Sequence, residues 1–207
     1  MMILNPIRRI FSSRLWLIAG AFAIAGCSLP QAQPDLTRYF VLTLPAAKAA
    51  PAEGAHLRVA LRAIQLPSYL RSSKAMQVRV ASNEITYADE SRWAEGLEAG
   101  IGRVLRDGLE GRGPIAHVVA SLGEDHDFEI LVTVIRCEGD REAGVARFVA
   151  QVEIFTPGPD GVRRARETFT TEIPGWDRQG YGQLAQKLSE AIDGFSDRVA
   201  SLVATVK

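Results

Sequence analysis

The feature that constrains this chain most is a cysteine at position 27, standing directly behind a charge-free apolar run. Arg8, Arg9 and Arg14 form a basic start, residues 15–25 carry no charge, and Ala25 and Gly26 lead into Cys27. A run of that length is short for a membrane-spanning helix, which needs about 20 apolar residues, and the layout is that of a secretory signal. The fold must therefore come from the residues after Cys27. Removing residues 1–26 from 207 leaves 181, enough for one domain with a substantial core and thin for two.

A general signal peptidase needs small residues before its cut but no cysteine after it. Ile24-Ala25-Gly26-Cys27 resembles the bacterial lipobox, with Ile24 where leucine is commonest. The resemblance implies that the Cys27 sulfur takes a diacylglycerol, that the signal is cut before it, and that the new amine is acylated, for instance with palmitate. The alternative is an N-terminal anchor helix that happens to contain a cysteine. Each buried acyl CH₂ contributes roughly 0.8 kcal/mol, so two or more chains anchor stably. Ser28 stands where inner-membrane retention would usually need Asp, which implies the outer membrane with the body facing the periplasm. The expected organisation is a signal peptide at 1–26, a lipidated tether at 27–37 rich in Pro, Gln and Ala, and one folded domain at 38–207.

Charge narrows the partners. Three of the 24 basic residues lie in the signal and none of the 24 acidic ones does, so the body carries 21 basic against 24 acidic groups. That balance gives no reason to expect a nucleic-acid partner. Lipidation would consume one of the two cysteines and leave Cys137 without a mate. Its apolar surroundings at 130–137 favour a small buried thiol over a reactive one.

Strand signals dominate the first half. Residues 38–44 are β-branched and aromatic and end at Pro45. Leu57, Val59, Leu61 and Ala63 alternate with small or charged neighbours, and the run continues to Pro67, whose missing N–H ends a ladder. Pro67-Ser68-Tyr69-Leu70 reads as a turn, and 76–80 with 84–87 as a strand pair about Ser82-Asn83. The period then changes. Trp93, Leu97, Ile101, Val104, Leu105 and Leu109 fall on one helical stripe, capped by Asp89 or Ser91 and stopped at Gly111. Gly96, Gly100, Gly102 and Gly108 inside it each cost about 1 kcal/mol against alanine. Such a helix needs tertiary packing, and its small residues allow a close approach to a sheet. Residues 115–119 read as a short strand, and 128–138, 145–155 and 166–173 as an antiparallel meander. A final helix opens at Asp177 or Gln179 and carries Leu184, Leu188, Ile192, Phe195, Val199, Leu202 and Val206.

With these pieces in order, the chain resembles the ABC-type transport auxiliary lipoprotein family, whose best-known branch is the paraquat-inducible protein C type. The resemblance is carried by Arg38-Tyr39-Phe40-Val41-Leu42, by 64–70 with its Leu66-Pro67-Ser68-Tyr69-Leu70, by Arg92-Trp93-Ala94-Glu95-Gly96-Leu97 and by 104–109. It departs at 71–76, where Arg71-Ser72-Ser73-Lys74-Ala75-Met76 replaces an acidic residue and an apolar pair. The resemblance implies an accessory role in envelope transport, beside an ABC permease, its ATPase and a periplasmic MCE-domain protein that carries lipid between membranes. It also implies a mixed sheet with helices packed on it. The order of elements fits a single α+β (mixed α/β) domain, its sheet largely antiparallel, with two long helices.

Chemistry is sparse in the sequence. No Gly-x-Ser-x-Gly elbow or phosphate loop occurs, so energy supply falls to another chain. His56, His117 and His126 form no i, i+4 pair; Glu124-Asp125-His126-Asp127 reads as a solvated loop, with cation binding the lesser alternative. Trp93 reads as a core anchor rather than a ligand contact, and Glu95 as solvated or ion-paired. Pro67, Tyr69 and Leu70 are the candidate partner interface, because a proline-led turn can present both side chains; the alternative is that they fold back onto the core. The expectation is thus no catalytic residue, no metal and no cofactor beyond the acyl lipids on Cys27. The leading reading is a non-catalytic outer-membrane accessory that docks an MCE-domain tunnel, with a second copy of itself as a further candidate partner. A lipid-anchored hydrolase and a lipid carrier with its own cavity are the alternatives.

Overall fold

The computed structural model describes residues 34–44 and 53–206, so Cys27 lies outside the described residues. The unit that carries the sheet begins at Thr37. In chain order its elements are β1 (Arg38–Phe40), β2 (Leu57–Leu61), α1 (Ser68–Arg71), β3 (Ala75–Ala81), β4 (Glu84–Trp93), α2 (Leu97–Leu109), β5 (Ile115–Val119), β6 (Phe128–Asp140), β7 (Val145–Phe155), β8 (Arg163–Pro174) and α3 (Tyr181–Thr205). The class is mixed α/β. No helix among the described residues is long and apolar enough to cross a membrane.

The sheet is assembled on β6. One of its edges pairs antiparallel with β7, and β7 with β8, which is the meander that the alternation predicts. Its other edge is shared by two branches. β2 joins in parallel at Phe128, Glu129 and Ile130 and carries β5 beyond it. β3 joins in parallel at Gly139 and Asp140 and carries first β4, antiparallel, and then β1, parallel. Gln65 bridges Thr133 between the two branches. The long ladders are antiparallel and the parallel ones short.

Both long helices bury their apolar stripes in the core. Leu97, Ile101, Val104, Leu105 and Leu109 of α2 are buried, as are Leu184, Leu188, Ile192, Phe195, Val199 and Val203 of α3. Phe195 sits between Phe148 of β7 and Phe169 of β8, with ring centroids 5.5 and 5.4 Å away. One glycine of α2 serves a different neighbour from the one expected. A Cβ at Gly108 would meet the Ser196 Oγ at 2.6 Å, so this glycine lets α2 approach α3 rather than the sheet.

Trp93 departs from the sequence reading. It closes β4 instead of opening α2, which starts at Leu97 behind an N-cap Gly96; Asp89 and Ser91 are strand residues. Trp93 is nevertheless buried at 3 % exposure, so its role as a core anchor stands. The apolar stripe alone drew the helix four residues too early, because a strand end and a helix start can bury consecutive members of one stripe. β6 also runs through Asp140, past the turn expected from Gly139, and a Cβ at Gly139 would lie 2.5 Å from the Trp176 ring. Gly139 is the place where that indole lies on the strand.

Candidate functional site

The stretch 62–72 follows the edge of β6 between the two branches. Arg62 N donates to Ile130 O, Gln65 N to Val132 O and Val134 N to Gln65 O, each at 2.9 Å. Pro67 ends this path, and a single helical turn, α1, follows where a turn was expected. Leu70 N and Arg71 N both donate to Pro67 O, at 3.1 and 3.2 Å. Opposite α1, the β6 ladder carries a bulge between Val134 and Arg136. The bulge reverses which residues face the helices, from Ile130, Val132 and Val134 before it to Cys137 and Gly139 after it.

α1 fills the place the bulge leaves. Tyr69 Oη donates to Glu138 Oε2 at 2.8 Å and approaches Ile135 O at 3.2 Å. Arg79 Nε donates to the other carboxylate oxygen of Glu138 at 2.6 Å, and Arg79 Nη1 to Ser82 O at 2.9 Å. The Glu138 side chain has no exposure. Burial, then the neighbouring Glu138 charge, pushes the Tyr69 hydroxyl well above its usual value, so it stays a donor. Burial alone would lower the Arg79 guanidinium, but the bond and charge of Glu138 outweigh it. Tyr87 Oη donates to Tyr69 O at 3.2 Å, which ties β4 to the same turn.

The three sequence-predicted interface residues therefore divide. Leu70 is 1 % exposed and belongs to the core, so it offers nothing to a partner. Pro67 and Tyr69 are half-buried, Tyr69 through its hydroxyl network. Two residues outside the predicted set supply the exposed apolar surface instead: Tyr87 at 42 % and Ile135 at 43 % exposure, both hydrogen-bonded to Tyr69 through side chain or carbonyl. Ile135 carried a faint signal, an apolar residue in the polar phase of its strand. The bulge that leaves it without a partner on β7 has none.

Beside this patch lies a polar basin of about 210 Å³ lined by Arg79, Ser82, Arg136, Asp140, Glu142 and Arg147. Its charges are mostly paired already: Arg147 meets Asp140 at 3.0 Å and Glu172 at 3.1 Å. A second groove, of about 550 Å³, is mostly apolar and is lined by Leu57, Pro114, Phe128, Val203 and Val206, with His56 and Asp127 among its walls. The acidic run 124–127 does not converge on a point. Glu124 Oε1 accepts from Ala120 N and Ser121 N, Asp127 Oδ2 accepts from Arg58 N, and the His126 ring turns inward to Glu129. Cys137 is buried and free, and burial raises its thiol far above the usual range.

A family model described as the ABC-type transport auxiliary lipoprotein component matches residues 40–200. No functionally curated protein matches the sequence. The solved structures that share the fold include the following two. One is an uncharacterized protein, 17 % identical, with a TM-score of 0.66 over 81 % of this chain and 98 % of its own. The other is a Xanthomonas campestris protein of the DUF330 family, 18 % identical, with a TM-score of 0.64 over 78 % of this chain and 92 % of its own.

Proposed function

The chain belongs to the ABC-type transport auxiliary lipoprotein family, and from that premise we propose that it is a non-catalytic accessory of an envelope lipid-transport system, lipidated on Cys27 at the outer membrane. In this reading it docks the end of a periplasmic MCE-domain tunnel whose permease and ATPase supply energy. The observation that carries it is the Tyr87–Tyr69–Ile135 patch. Exposed apolar side chains are ordinary when scattered. Here the Tyr87 hydroxyl and the Ile135 backbone carbonyl are both bonded to Tyr69, on a turn clamped by Glu138 and Arg79. An aromatic side chain held by its hydroxyl, beside a β-branched one on a fixed backbone, loses little entropy on binding, which is what an interface anchor requires.

The test replaces Tyr87 and Ile135 together with Ser. Folding and membrane anchoring should persist, while recovery of MCE and permease components with the tagged protein falls, together with envelope integrity. Undiminished recovery removes the patch from the reading. If the wild-type protein recovers no transport component, the reading itself fails. A lipid-carrier role has one observation in its favour, the apolar groove of about 550 Å³, which lies within the usual size range of small-ligand sites. Saturable binding of a fluorescent fatty acid, abolished by Phe128→Arg in a folded variant, would establish it.

A further inference from the structure

The sheet edge that follows the tether in sequence carries a second surface that the docking patch does not use. Tyr39 is 62 % and Val41 47 % exposed, on and just beyond β1, the outermost strand of its branch. Tyr39 lies in register with Arg92 of β4. Trp93 N donates to Lys74 O at 2.7 Å and Ala94 N to Phe40 O at 2.8 Å, which draws Lys74, Arg92 and the start of the 41–44 segment to one end of this edge. Arg71, three residues before Lys74, is exposed, as is Arg92, and neither forms an ion pair among the described residues. Among the described residues, the Lys74 ammonium donates to the Ala94 carbonyl, at 3.3 Å, and to no carboxylate. Of the acids nearby, Glu95 is held by Arg103, and Asp89 and Glu90 lie farther back along β4, beside the start of β1.

We propose that this edge is a second membrane contact, seated on the anionic headgroups of the bilayer that holds the lipid anchor. Tyrosine and lysine or arginine are the side chains that suit the headgroup layer, one amphipathic and the others attracted to anionic lipid. Ten residues lie between Cys27 and Arg38, and the eleven steps of an extended chain span at most about 40 Å. β1 is therefore the first strand of the described domain within reach of the membrane. Acyl chains already supply affinity; what a tether cannot supply is orientation. The edge fixes which way the domain faces. This inference rests on the anchor and not on the docking partner, so its failure leaves the proposed partner untouched.

The experiment uses the mature lipidated protein, isolated from membranes and confirmed by intact mass. Val41→Cys and, on the opposite edge of the sheet before β8, Val162→Cys carry a polarity-sensitive fluorophore; buried Cys137 stays unlabelled. Each is reconstituted in vesicles of phosphatidylethanolamine with phosphatidylglycerol, and of phosphatidylethanolamine with phosphatidylcholine. The label at 41 should shift to the blue in the anionic vesicles and lose that shift at high salt, while the label at 162 stays unmoved. Lys74→Gln with Arg92→Gln should abolish the shift without altering the melting curve. Equal emission at 41 in both vesicles overturns the proposal, as does a shift that survives loss of both charges or appears equally at 162.

Discussion

Two buried glutamates, one near each end of β6, hold the forked sheet together in the same way but with different company. Glu129 stands where the β2 branch joins, and Arg62 from that branch places Nε and Nη2 on its Oε2, each at 2.6 Å. Glu138 stands where the β3 branch joins, and Arg79 from that branch places Nε on its Oε1 at 2.6 Å. The two parallel ladders they accompany have only three and two residue pairs. A ladder so short specifies its register weakly, and an arginine of fixed reach on a buried carboxylate supplies what the ladder lacks. The difference lies in the cover. Glu129 also receives Gly158 N at 3.1 Å and lies 3.3 Å from His126 Nε2, while Arg62 remains 30 % exposed and lies over the Phe155 ring. Glu138 has no exposure, and Tyr69 is its remaining partner. Three partners with water at hand can compensate for a loss; two partners in a closed site cannot.

The largest effect should therefore come from Arg79→Ala. Removing one member of a buried pair leaves an uncompensated charge, which typically costs about 3–5 kcal/mol. Chemical denaturation should show that loss, and Glu138→Gln added to it should recover part of the stability by removing the orphaned charge. An Arg79→Ala midpoint equal to wild type would mean that Glu138 is not enclosed as described. Arg62→Ala should cost less, about 2 kcal/mol, the scale of a hydrogen bond to a charged group, because Gly158 and His126 remain. Equal losses at the two sites would erase the contrast.

Tyr69→Phe sharpens the Glu138 side alone. It removes one hydroxyl from a closed site and should cost about 1–2 kcal/mol, whereas Tyr87→Phe, whose hydroxyl meets an exposed backbone carbonyl, should be near neutral. Comparable changes in the two melting curves would demote Tyr69 from clamp to ordinary surface tyrosine.

The same contrast explains which elements were legible in the sequence. β7 and α3 were, because their burial follows one unbroken period: Phe148, Ala150, Val152 and Ile154 alternate cleanly, and Leu184 to Val199 keep helical spacing. The family resemblance was legible too, in residues that the matching model spans. The fork was not. β6 changes phase at the bulge, after which Cys137, Glu138, Gly139 and Asp140 are all buried, two of them acids that pattern alone assigns to water. Their burial depends on Arg79 and Arg147, distant partners whose positions no local period encodes. For the same reason Leu70 departs from the role its sequence context suggested. The one-turn α1 folds Leu70 inward, and Ile135, in the outward phase of β6, supplies the exposed side chain instead.

The smallest predicted effect is a pH dependence confined to the Glu129 side. Burial by itself would raise this carboxyl, but the Arg62 bond, the Gly158 amide and His126 outweigh it and hold it below the ordinary glutamate value. A carboxyl depressed in the folded state contributes stability that is fully present above its unfolded value, about 4.3, and that is lost as pH falls through the folded value. Stability measured by denaturant should therefore decline on acidification below about pH 4.3 more steeply in wild type than in Glu129→Gln, which cannot titrate there. Above that window the two curves should run parallel, with wild type higher. Arg62→Ala should flatten the decline, since the guanidinium bond is the first of the effects that lower this group. Should wild type and Glu129→Gln fall together across the window, the acid response belongs to other carboxylates and Glu129 is already neutralised in the fold. In that case the Arg62 clamp would be a neutral hydrogen bond, and the likeness between the two ends of β6 would be one of geometry only.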